Sequence, residues 1–191
     1  MEIYLVRHTA VNVDKNTCYG QLNVPINHLS FKKDFELIQN KLPANIDSFF
    51  SSPLERCKIL AEKLGKENII FDNDLLEINF GQWEGKKWSE INQTDLNFWM
   101  NDFVTVKPPE GENLLELYSR ISNFIDNLRT STENTDKKII IITHSGVIRC
   151  FYAYFLGIPL KNLFKIFVGF NEVHHFKLST KKETDLLLGK L

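Results

Sequence analysis

The run Ile139-Ile140-Ile141-Ile142 restricts the fold of this chain more than any other feature. Successive β-branched residues favour strand over helix. Neighbouring side chains of a strand point to opposite faces, so a continuously apolar run has no face to give to water. A strand of this kind belongs in a parallel sheet with helices on both sides. Ile3 to Val6 reads as a second short strand, ending at Arg7-His8. Phe49-Phe50 and Ile69-Ile70-Phe71 are shorter candidates, and Val173 to Leu178 is a late strand at or near an edge.

Helices fall between these strands. Ser52-Pro53-Leu54-Glu55 has the form of a capping box with proline at the first helical position, predicting a helix from there to about Gly65. From Asn113, Leu114, Leu117, Ile121, Phe124, Ile125 and Leu128 follow helical spacing. Another helix is expected from Gly146 to Leu156, stopped by Gly157-Ile158-Pro159. Alternating strands and helices predict an α/β fold, a three-layer α/β/α sandwich with a mostly parallel sheet. With no repeat, low-complexity tract or flexible linker, residues 1–191 read as one domain.

Charge narrows the partners. The 23 basic and 24 acidic residues leave a formal charge of -1, so the net basic field that gathers nucleic acid or anionic lipid is absent. Neither nucleic acid nor membrane is expected as a partner; a homodimer stays open. Three cysteines, Cys18, Cys57 and Cys150, have neither disulfide-framework nor zinc-site spacing, so no metal is expected. Residues 1–8 lack the basic flank and long apolar region of a signal peptide, and the expectation is a cytoplasmic protein.

In open α/β folds, ligands bind beyond the carboxyl ends of the strands. His8 follows the first strand and His144 follows the isoleucine run. Arg56 lies in the first turns of the helix after Phe49-Phe50, and Arg7 precedes His8. Three strand ends thus bring two arginines and two histidines to one rim. Guanidinium forks match phosphate oxygens in pairs and keep their charge. The helix starting at Ser145-Gly146 would add backbone N–H donors. A lone strand-end histidine is more often structural than catalytic; here several roles agree in one place.

These residues also carry a family resemblance. Leu5-Val6-Arg7-His8-Thr9 is similar to the arginine-histidine signature of the histidine phosphatase superfamily, the phosphoglycerate-mutase-like fold. Three further motifs follow in order: Ser51-Ser52-Pro53-Leu54-x-Arg56, Leu76-Glu77-x-x-Phe80-Gly81-x-Trp83-Glu84-Gly85, and Thr143-His144-Ser145-Gly146-Val147-Ile148-Arg149. Within the superfamily, Cys18-Tyr19-Gly20-Gln21-x-x-Val24-Pro25 and the stretch from Trp83 to Phe103 resemble the α-ribazole phosphatases of cobalamin assembly. Asn23 departs from the aspartate usual in that pattern, and Asn113 stands where serine is common.

The resemblance implies a cofactor-free hydrolysis of a small phosphate ester, α-ribazole 5′-phosphate in the specific reading. His8 would take the phosphoryl group, with Arg7, Arg56 and a protonated His144 around it. Glu77 would be the proton donor and Glu84 the second candidate. Substrate contacts would come also from Thr9, Asn12, Tyr19, Gly20 and Ser145. A broad-specificity phosphatase or a phosphoglycerate mutase on the same fold is the alternative, and an inactive phosphate-binding module the remote one. Trp83, Trp88, Phe98 and Trp99 read first as packing, with stacking on a benzimidazole as the competing role. His174-His175 reads as structural, since adjacent strand residues face opposite ways.

Overall fold

Alternation along the central strands decides which helices they meet. The computed structural model describes residues 1–65, 68–130 and 136–191. Strands β1 (Glu2–Arg7), β2 (Ser48–Ser51), β3 (Ile69–Phe71), β4 (Lys138–Thr143), β5 (Val173–Lys177) and β6 (Leu186–Lys190) form a 6-stranded sheet in the order β3-β2-β4-β1-β5-β6. The pairs β3-β2, β2-β4 and β4-β1 are parallel, whereas β5 runs antiparallel to β1 and β6. The sheet is mostly parallel, as the isoleucine run requires.

Ile139 and Ile141 face one side, where they meet Ile3, Leu5 and the apolar stripes of α4 (Leu114–Thr130) and α5 (Ser145–Leu156). Ile140 and Ile142 face the other side, against Tyr4, Val6, Ile38 of α1 (His28–Gln39) and Cys57, Leu60 and Ala61 of α2 (Glu55–Leu64). Helices on both faces make the architecture a three-layer α/β/α sandwich. A separate apolar cluster holds Cys18, Trp83, Ile91, Leu96 and Trp99, the last two on α3 (Gln93–Asn101). Trp83 and Trp99 are buried and pack edge to face.

Local rules hold where one residue answers one backbone conformation. α5 ends at Gly157 in the left-handed conformation (φ 64), which favours glycine. The capping box at Ser52 is not formed. α2 starts at Glu55 with Leu54 as its cap, and Glu55 N donates to Asn23 Oδ1 from a distant loop. Ser52 Oγ is bonded to the His144 ring at 2.8 Å and keeps only a long contact, 3.4 Å, from Leu54 N at the helix start, so the site has the stronger claim on the hydroxyl. β5 is one strand in from the edge, because β6, outside the expected strands, pairs beyond it.

Where β1 and β4 end side by side, their connections part. β1 leads toward α1 on one face and β4 directly into α5 on the other. That divergence opens a crevice at the rim. Three hydrogen bonds tie its walls: His8 N to Thr143 O at 3.0 Å, Ser52 N to Ile142 O at 2.9 Å, and Thr143 Oγ1 to Leu75 O at 2.7 Å.

The core on which this rim rests is tightly filled. Ile141→Ala should lower unfolding free energy by about 2–5 kcal/mol, as buried isoleucine truncations do. Urea denaturation of the variant checks this, and a loss below about 1 kcal/mol would mean the sheet is less closely packed than its burial indicates.

Candidate active site

His8 lies just past the C-terminal end of β1 and is 2% exposed. Its Nδ1 is 2.8 Å from the carbonyl oxygen of Thr9. A carbonyl only accepts, so Nδ1 carries the proton and Nε2 keeps its lone pair. Burial first, then Arg56 and Arg7, hold its pKa well below the ordinary histidine value. The result is a neutral imidazole with a fixed tautomer and an available nucleophilic nitrogen.

Two arginines border it. Arg56 is fully buried, with Nη1 donating to Leu22 O at 2.8 Å and Nη2 to Gly20 O at 2.6 Å. Its guanidinium lies 5.4 Å from the Tyr19 ring. Arg7 donates from Nη1 to Val168 O and sits 4.0 Å from the Phe170 ring centroid. Neither arginine forms an ion pair among the described residues. Arg7 Nε, Arg56 Nε and Thr9 Oγ1 are buried without a hydrogen-bond partner among the described residues. Buried donors outnumber acceptors here, a condition that an oxyanion relieves.

His144 caps α5 from the end of β4, with its ring centroid 5.2 Å from that of His8. Its Nε2 is 2.8 Å from Ser52 Oγ. Burial, followed by Arg56, His8 and Arg7, pushes its pKa well below the ordinary value. The expectation of a protonated His144 is therefore corrected: the site's positive charge resides on the arginines. The first turn of α5 also differs from expectation. Gly146 N donates to both Glu77 oxygens, at 3.1 and 3.2 Å, and so serves the acid instead of an incoming phosphate.

Glu77 Oε1 also accepts from Ile78 N at 3.0 Å, and Ser145 Oγ approaches Oε2 at 3.4 Å. Gly146 leaves room for that contact, since a Cβ there would stand 2.3 Å from Glu77 Oε1 and would displace the carboxyl group. Glu84, the second candidate, is a brace: Oε1 accepts from Gln21 N and Phe80 N at 2.8 and 2.9 Å. Tyr19 and Gly20 belong to the wall that holds Arg56, and Thr9 to the nucleophile's own turn. Asn12 is exposed, with its backbone N–H bonded to Pro25 O, and among the described residues no hydrogen bond joins its side chain to this group.

Sequence reasoning missed the support behind Glu77. Arg120 of α4 donates to Asp74 O at 2.5 Å and Glu77 O at 3.1 Å, and pairs with Glu112 at 2.7 Å. Glu112 Oε1 in turn accepts from Asn79 N. These two side chains clamp the backbone on both sides of the acid. The helical phase of α4 was legible, but nothing local showed what its polar Arg120 would reach.

The chain matches the model of the histidine phosphatase superfamily (branch 1) over residues 3–188 and belongs to that superfamily. Phosphoserine phosphatase 1 of Hydrogenobacter thermophilus is 25% identical over 167 residues, covering 84% of this chain and 78% of that protein. The α-ribazole phosphatase of Shigella flexneri shares the fold with a TM-score of 0.85 at 22% identity, over 98% of this chain and 94% of its own. A phosphoserine phosphatase variant of Entamoeba histolytica, solved with phosphoserine, gives a TM-score of 0.83 at 19% identity, covering 99% and 95%.

Burial of neutral histidines carries a pH signature. The pKa values of His8 and His144 are held well below 6.5, and that of His174 is lowered to about 4, all chiefly by burial. Below about pH 6.5 the unfolded chain binds protons at these positions that the folded chain refuses, so stability falls as pH falls. Between pH 6.5 and about 5, the decline should approach about 1.4 kcal/mol per pH unit for each histidine that stays neutral. Urea titrations at stepped pH, with His174→Gln as a variant of reduced slope, measure it; a flat profile would contradict the neutral assignments.

Proposed function

We propose that this protein is a phosphatase that hydrolyses a small phosphomonoester through a phosphohistidine on His8. The observation that carries the reading is the fixed tautomer of His8, whose lone pair on Nε2 stands among Arg7, Arg56 and His144. Nε2 attacks phosphorus, and the bond to the ester oxygen breaks as the new P–N bond forms. Arg7 and Arg56 stabilise charge on the equatorial oxygens, and Ser52 orients the His144 ring beside them. Glu77 gives a proton to the departing oxygen. It then takes one from water, which attacks the phosphohistidine and restores His8 as phosphate leaves.

Hydrolysis is preferred over mutase chemistry because a mutase must bind a second phosphate in a basic cluster. Of the nearby arginines, Arg120 is spent on Glu112 and the Glu77 backbone, which leaves Arg149 as a single surplus cation. For the leaving group, α-ribazole is supported by the Cys18 to Pro25 stretch and by the fold shared with the Shigella flexneri enzyme. Burial of Trp83 and Trp99 in their own cluster favours packing over a benzimidazole platform. Phosphoserine, the substrate named for two of the similar proteins, is the competing leaving-group chemistry.

Phosphate release in EDTA from α-ribazole 5′-phosphate, O-phosphoserine, 3-phosphoglycerate and p-nitrophenyl phosphate tests the reading. His8→Ala should abolish both turnover and acid-labile phosphate labelling of the protein; retained turnover would sink the mechanism. Gly146→Ala pushes a methyl group against Glu77 and should misplace the acid. Its kcat should fall by about tenfold or more on alkyl esters, where protonation of the leaving oxygen matters most. The aryl ester, with a far better leaving group, should lose much less. Equal losses on both ester types would remove Glu77 from the proton-donor role.

A further inference from the structure

Phe170 is half-buried, yet it lies outside the three apolar clusters of the described residues. Its ring is spent on the site instead. The Arg7 guanidinium carbon stands 4.0 Å from the ring centroid, and the His8 ring centroid is 5.7 Å away. Two residues earlier, Val168 is buried and its carbonyl oxygen accepts from Arg7 Nη1 at 2.8 Å. Residues 168–172 thus meet Arg7 twice, through one backbone group and one ring.

This turn is pinned from outside. Glu172 Oε2 accepts from Gly169 N at 2.6 Å, while Oε1 pairs with Lys190 of β6 at 2.6 Å. Asn171 Nδ2 donates to the buried Asp34 of α1 at 2.9 Å, and Asn171 O accepts from Lys41 Nζ at 2.7 Å. Asn171 also holds the left-handed conformation (φ 63), which reverses the chain and which asparagine tolerates better than most residues. Phe170 cannot swing away from Arg7 without loosening contacts to both α1 and β6.

The two contacts fix different freedoms of one side chain. A hydrogen bond to a carbonyl is made near the guanidinium plane, whereas a ring over the cation covers one of its faces. Together they set the place and the plane of the fork, whose Nε stays buried without a hydrogen-bond partner among the described residues. An arginine without such restraint would lose rotamer freedom each time it received an anion. We infer that residues 168–172 form a positioning clamp for Arg7, in which the Val168 carbonyl and the Phe170 ring hold its guanidinium ready for phosphate. The inference rests on the phosphatase reading for the identity of the anion and deepens it by assigning what orients Arg7. Phe170 is here a positioning residue and exchanges no proton or phosphoryl group.

A double-mutant cycle separates this role from plain packing. Calorimetry with inorganic phosphate compares Phe170→Leu, which keeps an apolar side chain and removes the ring face, with Phe170→Tyr, which keeps the face. Phe170→Leu should weaken phosphate binding about 10-fold, the loss expected for one desolvated cation–ring contact, and Phe170→Tyr should stay within about twofold of the unaltered protein. In an Arg7→Met background the Phe170→Leu change should cost little, because the cation through which the ring acts is gone. An equal loss in that background, or no loss from Phe170→Leu alone, would overturn the clamp. So would a failure of the unaltered protein to bind phosphate. If Arg7→Met binds too weakly to measure, the two Phe170 variants decide, and equal losses in both would count against the ring. Coupling without phosphate release from any ester would remove the phosphatase reading and leave the clamp standing; release without coupling would do the reverse.

Discussion

Positive charge buried without an ion pair among the described residues is the constraint on which this site depends. Arg56 is fully inaccessible, yet no carboxylate pairs with it. Two backbone carbonyls and the Tyr19 ring are its close partners, Glu77 and Glu84 act on it electrostatically, and its Nε has no hydrogen bond among the described residues. Moving a cation out of water costs several kcal/mol when nothing compensates it. The surrounding structure must supply that free energy, and the filled core beneath the rim is its source. What the fold obtains is a site already arranged for an oxyanion, with little reorganisation left for the moment of reaction.

The same buried charge sets the state of its neighbours. Arg56 and Arg7 add to burial in keeping His8 and His144 neutral. In the proposed reaction a protonated His8 would have no lone pair with which to attack, so repulsion by the arginines would preserve the nucleophile. Loop geometry follows from the same requirement. The carbonyls of Gly20 and Leu22 must turn inward to Arg56, and Gly20 adopts a positive φ (20°) with Glu84 Oε1 only 2.2 Å from where a Cβ would be. From that loop Asn23 reaches α2 and caps it, so the helix carrying Arg56 and the loop receiving Arg56 hold each other. The departure of Asn23 from the related pattern thus leaves an acceptor in place, because an amide oxygen accepts from a helix N-terminus as a carboxylate does.

Features governed by local rules were legible in the chain. The isoleucine run announced a strand covered on both sides, and the spacing from Leu114 to Leu128 announced the stripe of α4. Ordered motifs at three strand ends pointed to one rim, because sheet topology brings such ends together whatever lies between them. Less legible were groups with two claims on them. Ser52 had the sequence context of a cap, and only the arrival of His144 from 92 residues away shows where its hydroxyl goes. Arg120 and Glu112 look like ordinary helix charges until the backbone around Glu77 is placed against them. β6 was hidden because its leucines at 186 and 188 are exposed and its inner face offers Leu187 alone to the core, too little alternation to mark an edge strand.

One helix joins the two halves of the chemistry. α5 begins with His144 beside the nucleophile, continues with Ser145 and Gly146 against Glu77, and reaches Arg149 in the cleft beyond. Because these positions share a rigid hydrogen-bonded rod rooted at the end of β4, the phosphate-facing and leaving-group-facing sides cannot shift independently. In the proposed reaction, a phosphate group held beside His144 would place its ester oxygen on the side where Gly146 holds Glu77.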